Sequence, residues 1–144
     1  MKIGFSGTRH GMTQPQFRTI LRLLQDWKPS EVHHGGCVGA DIEFAKMCDK
    51  HVPRPHIVCR PGMSARDGNS DLRATDDPSD QIFDTLTHFH RNRAIVDSCA
   101  VLIAAPFGFV HQASGGTWYT IDYARKHKKH VIIVFPDGTT DEHR

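Results

Sequence analysis

Short apolar runs alternate with longer amphipathic segments along the chain. The runs that we interpret as β-strands are KIGFS, EVHH, HIVC, AVLIAA and HVIIVF. Between most of them, apolar side chains recur every three or four positions, which is the period of a helix with one buried face. Because parallel strands are joined by crossovers, this alternation predicts an α/β fold with a mainly parallel five-stranded sheet.

The first helix has recognisable signals at both ends. Thr13 and Gln16 fit a capping box, and Pro29 ends the periodic segment. The apolar residues between them keep helical spacing: Phe17, Ile20, Leu21, Leu24 and Trp27. AVLIAA is the most apolar strand, so we expect it at the centre of the sheet with both faces covered.

One segment interrupts the alternation. Residues 60–88 are polar, rich in Asp, Gly and Pro, and too numerous for an ordinary connection. Two interpretations are open: a disordered surface loop, or a lid that leaves the carboxyl end of a strand and covers a site. The chain shows no internal repeat, so residues 1–144 are predicted to form a single domain.

Composition narrows the class of protein. With 38% hydrophobic and 24% charged residues, the 144-residue chain is typical of a globular domain. Its apolar runs are too short to span a bilayer, so no membrane partner is expected. The initial MKIGFSG lacks a secretory signal, and the four cysteines have no CxxC spacing. Reduced cysteines and a cytoplasmic location are therefore expected.

Charge and histidine patterns argue against two further partners. The formal net charge of +2 is too small to attract nucleic acid, and only Ala124–His130 is strongly basic. That segment is explained more simply as a helix end that complements the helix dipole. The eleven histidines are scattered, and His33 and His34 lack a partner at a metal-ligand spacing. We predict no metal and no cofactor.

Unusual residues collect where the predicted strands end. In an open parallel sheet, ligands bind beyond the carboxyl ends of the strands. Glycine lets the backbone approach an anion, and a helix N-terminus offers unpaired N–H groups. The predicted phosphate-binding turns contain Gly7, Thr8 and Arg9; Gly35, Gly36, Gly39 and Asp41; and Ser114, Gly115, Gly116 and Thr117. Arg9 and Arg91 would add fork-shaped donors, whose loss should weaken binding with little change in melting temperature.

These residues also have ordinary explanations. Any α/β protein needs glycine at such corners, and neither glycine-rich helix start is a GxGxxG fingerprint or a P-loop. Asp41 fits a helix N-cap as well as a ligand for a ribose hydroxyl, and Thr117 also fits a cap. Trp118 fits packed core or a platform for a base. Asp122 fits a surface ion pair with Lys126.

Four motifs, in this order, resemble the SLOG superfamily of Rossmann-like nucleotide-binding proteins, in its YpsA-like branch. They are GFSGTRHGMT, HHGGCVGAD, RNRAIVDSCAVLIAAP and SGGTWYTIDYARKHKKHVIIV, and they leave out mainly residues 60–88. The resemblance implies a Rossmann-like three-layer fold, a nucleotide-derived ligand and helix pairing in a homo-oligomer. Relatives include the DprA family, which implies single-stranded DNA as a further alternative, and the LOG phosphoribohydrolases, which release a base from a nucleoside monophosphate.

The LOG pattern PGGxGTxxE also implies roles for individual residues. Laid on this chain without gaps, Gly115–Gly116 matches its glycine pair, and Asp122 takes the place of its catalytic glutamate with one methylene fewer. Of the upstream HxRK, Asn92 takes the arginine's place and Arg93 the lysine's, while Arg91 comes one residue early. The resemblance therefore implies Asp122, Arg91 and Arg93 as a catalytic set.

Together these observations predict a domain that binds a nucleoside monophosphate or an ADP-ribose-like molecule at the carboxyl edge of the sheet. Hydrolysis of an N-glycosidic bond is a second layer of the hypothesis, in which Asp122 would stabilise charge on the ribose or activate water. The rival is a non-catalytic sensor, carrier or sponge for a nucleotide signal, because binding and hydrolysis use the same cradle.

Overall fold

A computed structural model describes residues 1–63, 76–112 and 115–144. Ser114 and the middle of the predicted loop lie outside these ranges. The helices of the described part are α1 Gln14–Trp27, α2 Ala40–His51, α3 His88–Asp97 and α4 Gly116–Lys126. Its strands are β1 Lys2–Gly7, β2 Glu31–His34, β3 His56–Cys59, β4 Gly62–Met63, β5 Gln81–Ile82, β6 Leu86–Thr87, β7 Val101–Ala105, β8 His130–Val134 and β9 Thr140–His143.

The main sheet has the order β5-β3-β2-β1-β7-β8-β9. Every neighbouring pair is parallel except β8 and β9, which are antiparallel. In the middle of the sheet, Ile3 of β1 pairs with Val32 of β2 on one side and with Val101 of β7 on the other. The predicted α/β fold with a mainly parallel sheet is therefore confirmed.

The prediction of five strands was wrong, because the sheet has seven. The five predicted strands form its centre, and β5 and β9 add one strand at each edge. Both added strands are exposed, so neither carries an apolar pattern that sequence periodicity could detect. The ends of the long loop also pair with each other, since β4 and β6 form a small parallel ladder. Whether the loop acts as a lid stays a prediction.

Two apolar layers cover the two faces of the sheet. On one face, α1 and α2 pack through Ile20, Leu24 and Phe44, and the ring of Phe44 stacks on Phe5 of β1 at 4.2 Å. On the other face, α3 and α4 form a separate cluster that includes Ile121. Every residue of β7 is buried, as expected for an interior strand with both faces covered, although β1 and not β7 is the middle strand of the sheet. The described helices include none long and apolar enough to cross a membrane.

Helix α1 begins with the predicted capping box. The hydroxyl of Thr13 accepts from the backbone N–H of Gln16 at 3.1 Å, and the Gln16 side chain accepts from Thr13 N–H at 3.0 Å. The amide nitrogen of Gln16 also donates to the carbonyls of Pro106 and Val134. This buried side chain thus ties the start of α1 to the ends of β7 and β8.

The strand order reverses between β1 and β7. From β1 the chain builds outward through β2, β3 and β5, then returns to the other side of β1 with β7 and continues to β8. Crossovers on opposite sides leave a crevice beyond the carboxyl ends of these two central strands. The expected position of a ligand in this fold is therefore beyond Gly7 and Ala105, the last residues of β1 and β7.

Candidate functional site

A cleft of about 480 Å³ lies at this position. Its walls come from the loop after β1, the start of α3, the loop after β7 and the start of α4. The predicted site residues that line it are Gly7, Thr8, Arg9, Arg91, Asn92, Gly115, Gly116 and Thr117. The structure thus brings together two of the three predicted turns, with Arg9 and Arg91 beside them.

The loop after β1 lines the cleft, and backbone hydrogen bonds to β7 and to the start of α2 hold it in this position. The N–H of Thr8 donates to the carbonyl of Ala105 at 3.0 Å, and the carbonyl of Thr8 accepts from the N–H of Ala40 at 3.0 Å. A side chain at Gly7 would collide with Ala40 and with the ring of Phe5. Glycine is therefore needed here for helix–strand packing, and the exposed Arg9 follows at the rim of the cleft.

The second glycine turn, residues 35–39, is closed by internal hydrogen bonds. The Asp41 carboxylate accepts from the N–H groups of Gly35 at 3.1 Å and Cys37 at 3.4 Å. The N–H of Gly36 donates to His34 Nδ1 at 3.0 Å. These three donors are already engaged by protein acceptors, and of the turn only Cys37 lines the cleft.

Close packing explains the remaining features of that turn. Gly39 has φ 91°, and a side chain there would overlap the backbone of Arg9. It is Gly39, not Asp41, that occupies the N-cap of α2. Asp41 lies inside the first turn of the helix, buried, and organises the turn from there. The N-cap interpretation of Asp41 was therefore wrong, and its rival role with a ribose stays untested.

Arg91 is a buried connector in the wall of the cleft. Its side chain is 5% exposed and donates from Nη1 to the carbonyl of Gly35 at 2.9 Å and from Nε to Asn92 Oδ1 at 2.6 Å. Nη2 lies 3.7 Å from the Cys37 sulfur. Arg91 therefore joins α3 to the second glycine turn, which gives it a structural role that the sequence did not indicate.

Asn92 is 7% exposed and also lines the cleft. Its oxygen is used by Arg91, and within the described ranges no protein acceptor pairs with its Nδ2. A buried amide donor normally has a partner. Asn92 therefore presents an amide donor in the wall of the cleft.

The third turn meets the cleft with the N-terminus of α4. Gly115 is the N-cap and makes no side-chain capping bond, while its N–H donates to the carbonyl of Gln112 at 3.0 Å. Apart from the adjoining backbone, a Cβ at Gly116 would meet no atom of residues 1–63, 76–112 and 115–144 within 4 Å. Packing does not require glycine at residue 116, in contrast to the glycines of the other two turns.

The remaining two residues of the implied catalytic set lie outside the lining of the cleft. Arg93 is exposed, donates to the Tyr119 hydroxyl at 2.8 Å and lies over the ring of Tyr123. Asp122 is also exposed, and its carboxylate lies 2.7 Å from His111 Nε2. The helical turn thus places residue 122 on a different face of α4 from the glycine pair.

Several lining residues were not identified from the sequence: His10, Cys37, Phe89, Phe107 and Gln112. Trp118 lines the cleft and is also 7% exposed and packed against α3 and β7, so core and site interpretations both hold for it in part. The sequence does place aromatic residues next to predicted strand and helix ends, and this position was the available signal. Hydrophobic periodicity does not show that such residues are exposed.

His34, Cys59 and Asp77 place potential metal-ligand atoms within 4.8 Å of one another. However, Gly36 N–H donates to His34 Nδ1, so the neutral ring carries its proton on Nε2 and donates to Ser79 Oγ at 2.7 Å. Ser79 in turn donates to Asp77 at 2.6 Å. A metal would have to displace one of these bonds, so we interpret the group as a polar tie that holds the segment after residue 76 against β2. The absence of a metal stays a prediction.

Strand β2 carries a second polar group, formed by His33 and Glu31 with Arg60. Burial lowers the pKa of His33, whose Nδ1 accepts from Arg60 Nε at 3.1 Å and whose Nε2 lies 3.1 Å from Glu31. The hydrogen bond to His33 lowers the pKa of Glu31. None of the four cysteines forms a disulfide and all four are buried, and burial raises the pKa of Cys99 to about 12. That thiol is therefore protonated and unreactive near neutral pH.

No family model matches the chain, and no curated protein matches its sequence. Among solved structures, the chain is similar to the molybdenum cofactor binding protein from the phototrophic bacterium Rippkaea orientalis, with a TM-score of 0.63 at 21% identity. The match covers 93% of this chain and 76% of the other. At this identity the likeness shows the fold alone, one that a cofactor-binding protein also has. Membership of the SLOG superfamily stays a prediction.

Proposed function

We propose that this protein binds a nucleotide-derived small molecule in the cleft, with a phosphate at the N-terminus of α4. The observation that carries the proposal is the start of α4, whose N-cap residue Gly115 makes no side-chain capping bond and which lines the cleft where the strand order reverses. The first N–H groups of a helix have no partner within it, and the helix dipole places roughly half a positive charge there. An anion is the natural ligand of such a position.

A comparison of the four described helices singles out α4. Helices α1 and α3 are capped by the hydroxyls of Thr13 and Thr87. Helix α2 lacks a side-chain cap but carries Asp41 and Glu43 in its first turn, so its own carboxylates offset its dipole. Helix α4 has neither a capping side chain on Gly115 nor an acidic residue in its first turn. Its positive end is therefore the one that a bound anion would complete.

Side chains around this helix start supply further donors. Thr117 offers a hydroxyl, Asn92 offers its amide nitrogen, and Arg9 offers a guanidinium at the rim. Hydrogen bonds to a charged partner contribute about 1.5–3 kcal/mol each. Two or three such hydrogen bonds, together with those from the helix N–H groups, would stabilise the complex with a small phosphate-bearing ligand.

We favour binding without hydrolysis as the function of this cleft. The only carboxylate that the family pattern offers for the reaction is Asp122, and its partner is the surface residue His111. A general base or a stabilising carboxylate must come within hydrogen-bond reach of the reacting atoms. The position of Asp122 therefore supports a sensor or carrier of the ligand.

Mass spectrometry of small molecules released from the denatured protein tests the proposal first. Calorimetry with AMP, ADP-ribose and inorganic phosphate then measures affinity for wild type, Arg9→Ala and Arg22→Ala. Arg22 is an exposed arginine on α1 and serves as the matched control. We expect the affinity of Arg9→Ala to be about tenfold weaker or more than that of wild type. The affinity of the Arg22→Ala control should not change. No released phosphate compound and no binding of the three probes would overturn the proposal.

A further inference from the structure

Two large aromatic side chains stand exposed on the wall of the cleft. Phe89 is 60% exposed at the start of α3, and Phe107 is 69% exposed in the loop after β7. Burial of such a side chain contributes roughly 1.5–3 kcal/mol to folding, and here that contribution is largely absent. Exposure of both residues in the same cleft indicates that the described residues do not supply the partner of these rings and that a ligand can.

Each ring is held in place by a second ring. Phe107 lies 4.5 Å from the ring of His10, and Phe89 lies 4.6 Å from the ring of Tyr119. Both pairs are tilted, at 41° and 57° between the ring planes. Because these contacts use only part of each ring, the high exposure of both phenylalanines leaves aromatic surface available on two separate walls of the cleft.

Polar side chains lie in the same cleft as these rings. Asn92 and Gln112 carry amides that can donate to, and accept from, the edge of a planar heterocycle. Aromatic faces beside amide groups are the combination that reads a nucleobase or a similar ring, whereas a sugar phosphate would use only the polar part of the cleft.

We propose that the ligand carries a planar heteroaromatic ring that stacks on Phe89 and Phe107, while its phosphate lies at the start of α4. This inference rests on the proposed function, because it assigns the rest of the same ligand. It selects nucleotides and related ring-bearing phosphates over simple sugar phosphates.

Three probes separate the ring from the phosphate: AMP, adenosine and ribose 5-phosphate, measured by calorimetry at one salt concentration. A stacked base contributes enough that its removal weakens binding roughly five- to a hundredfold. We therefore expect AMP to bind more tightly than ribose 5-phosphate by such a factor. Equal affinity of these two probes would overturn the stacking proposal and leave phosphate binding in place.

Variants locate the ring. Phe107→Ala and Phe89→Ala should each weaken AMP binding about fivefold or more and leave ribose 5-phosphate binding unchanged. Phe107→Leu keeps apolar volume without an aromatic face and should also lose affinity, whereas Phe107→Trp should retain it. Phe109→Ala is the matched control, because Phe109 is 56% exposed nearby, stacks on Phe135 and does not line the cleft.

The outcomes distinguish failure of this inference from failure of the proposed function. If Phe107→Ala abolishes the binding of adenosine, stacking is supported. If wild type also binds AMP no more tightly than adenosine, the phosphate position at α4 is contradicted. Unchanged AMP affinity in both alanine variants, with melting temperatures close to wild type, would overturn stacking alone. If none of these three probes binds, ADP-ribose and inorganic phosphate do not bind either, and no phosphate compound is released from the denatured protein, both proposals fail.

Discussion

Gly116→Ala gives the sharpest test of where a phosphate binds, because the substitution is expected to raise the stability of the protein and to lower its affinity for AMP. Apart from the adjoining backbone, a Cβ at residue 116 would meet no atom of the described residues within 4 Å, and the residue is the first of α4. Alanine there reduces the freedom of the unfolded chain without a clash, which stabilises a protein by about 0.4–1 kcal/mol. For a chain of this size the melting temperature should rise by about 1–4 °C.

Binding should change in the other direction. The Cβ of a helical residue points toward the N-terminus of its helix, and Gly116 already lines the cleft. The added methyl group would occupy space at the helix start and hinder at least one charged hydrogen bond, worth about 1.5 kcal/mol or more. The affinity for AMP should therefore fall about tenfold or more.

The assay pairs thermal unfolding with calorimetry on the same samples. Gly138→Ala serves as the control: its φ is 85° and a Cβ would lie 3.0 Å from the carbonyl of Pro15, so it should lose stability and leave AMP affinity of the folded protein unchanged. A Gly116→Ala protein that is more stable and binds AMP as tightly as wild type would refute the phosphate position at α4.

Three further predictions concern residues outside that turn. Arg91→Met should lower the free energy of unfolding by about 1–3 kcal/mol for each acceptor left without its donor, such as the Gly35 carbonyl, and denaturant unfolding checks this; unchanged stability would contradict the buried role. Asp122→Asn breaks only an exposed pair with His111, so stability should change by less than about 1 kcal/mol and AMP affinity should persist. Chromatography that finds a released base from wild type but not from this variant would restore the hydrolytic hypothesis. His33 has a lowered pKa in the folded protein, so its neutral form contributes stability above about pH 6.5 that is lost as the pH falls toward the folded pKa. His33→Gln should therefore show a smaller decrease in melting temperature between about pH 7 and about pH 5, and an identical slope would refute this.

The prediction for Arg91 differs from what the sequence suggested. An arginine in a polar motif near a glycine turn is typical of a phosphate ligand, and its removal was expected to leave stability unchanged. In the structure the guanidinium is buried among the Gly35 carbonyl, Asn92 and Cys37, so its removal is expected to lower stability, while its role as a phosphate ligand stays a prediction. Sequence reasoning could not separate these roles, because both use the same donors and differ only in which acceptor lies nearby.

Local patterns were enough to predict the centre of the fold. The five predicted strands and the capping box of Thr13 and Gln16 depend on neighbours in the sequence. The interior place of Val101–Ala105 in the sheet depends on the hydrophobicity of that segment. Burial on both faces imposes a long apolar run, and a helix start imposes its cap within four residues. Such features can be inferred from one chain, because their physical cause is contained in a short segment.

Tertiary structure alone decided what each glycine does. The sequence presents Gly7, Gly39 and Gly116 as equivalent members of turns at strand ends. Only the packing of the chain shows that Ala40 lies against the first and the Arg9 backbone against the second. A Cβ on the third would meet no described residue beyond the adjoining backbone. The edge strand Thr140–His143 was missed for a different reason: its backbone pairing with the nearby strand β8 needs no apolar side chain, so hydrophobic periodicity does not detect it. The roles of Gly7 and Gly39 depend on contacts between residues distant in sequence, and no local pattern records such contacts.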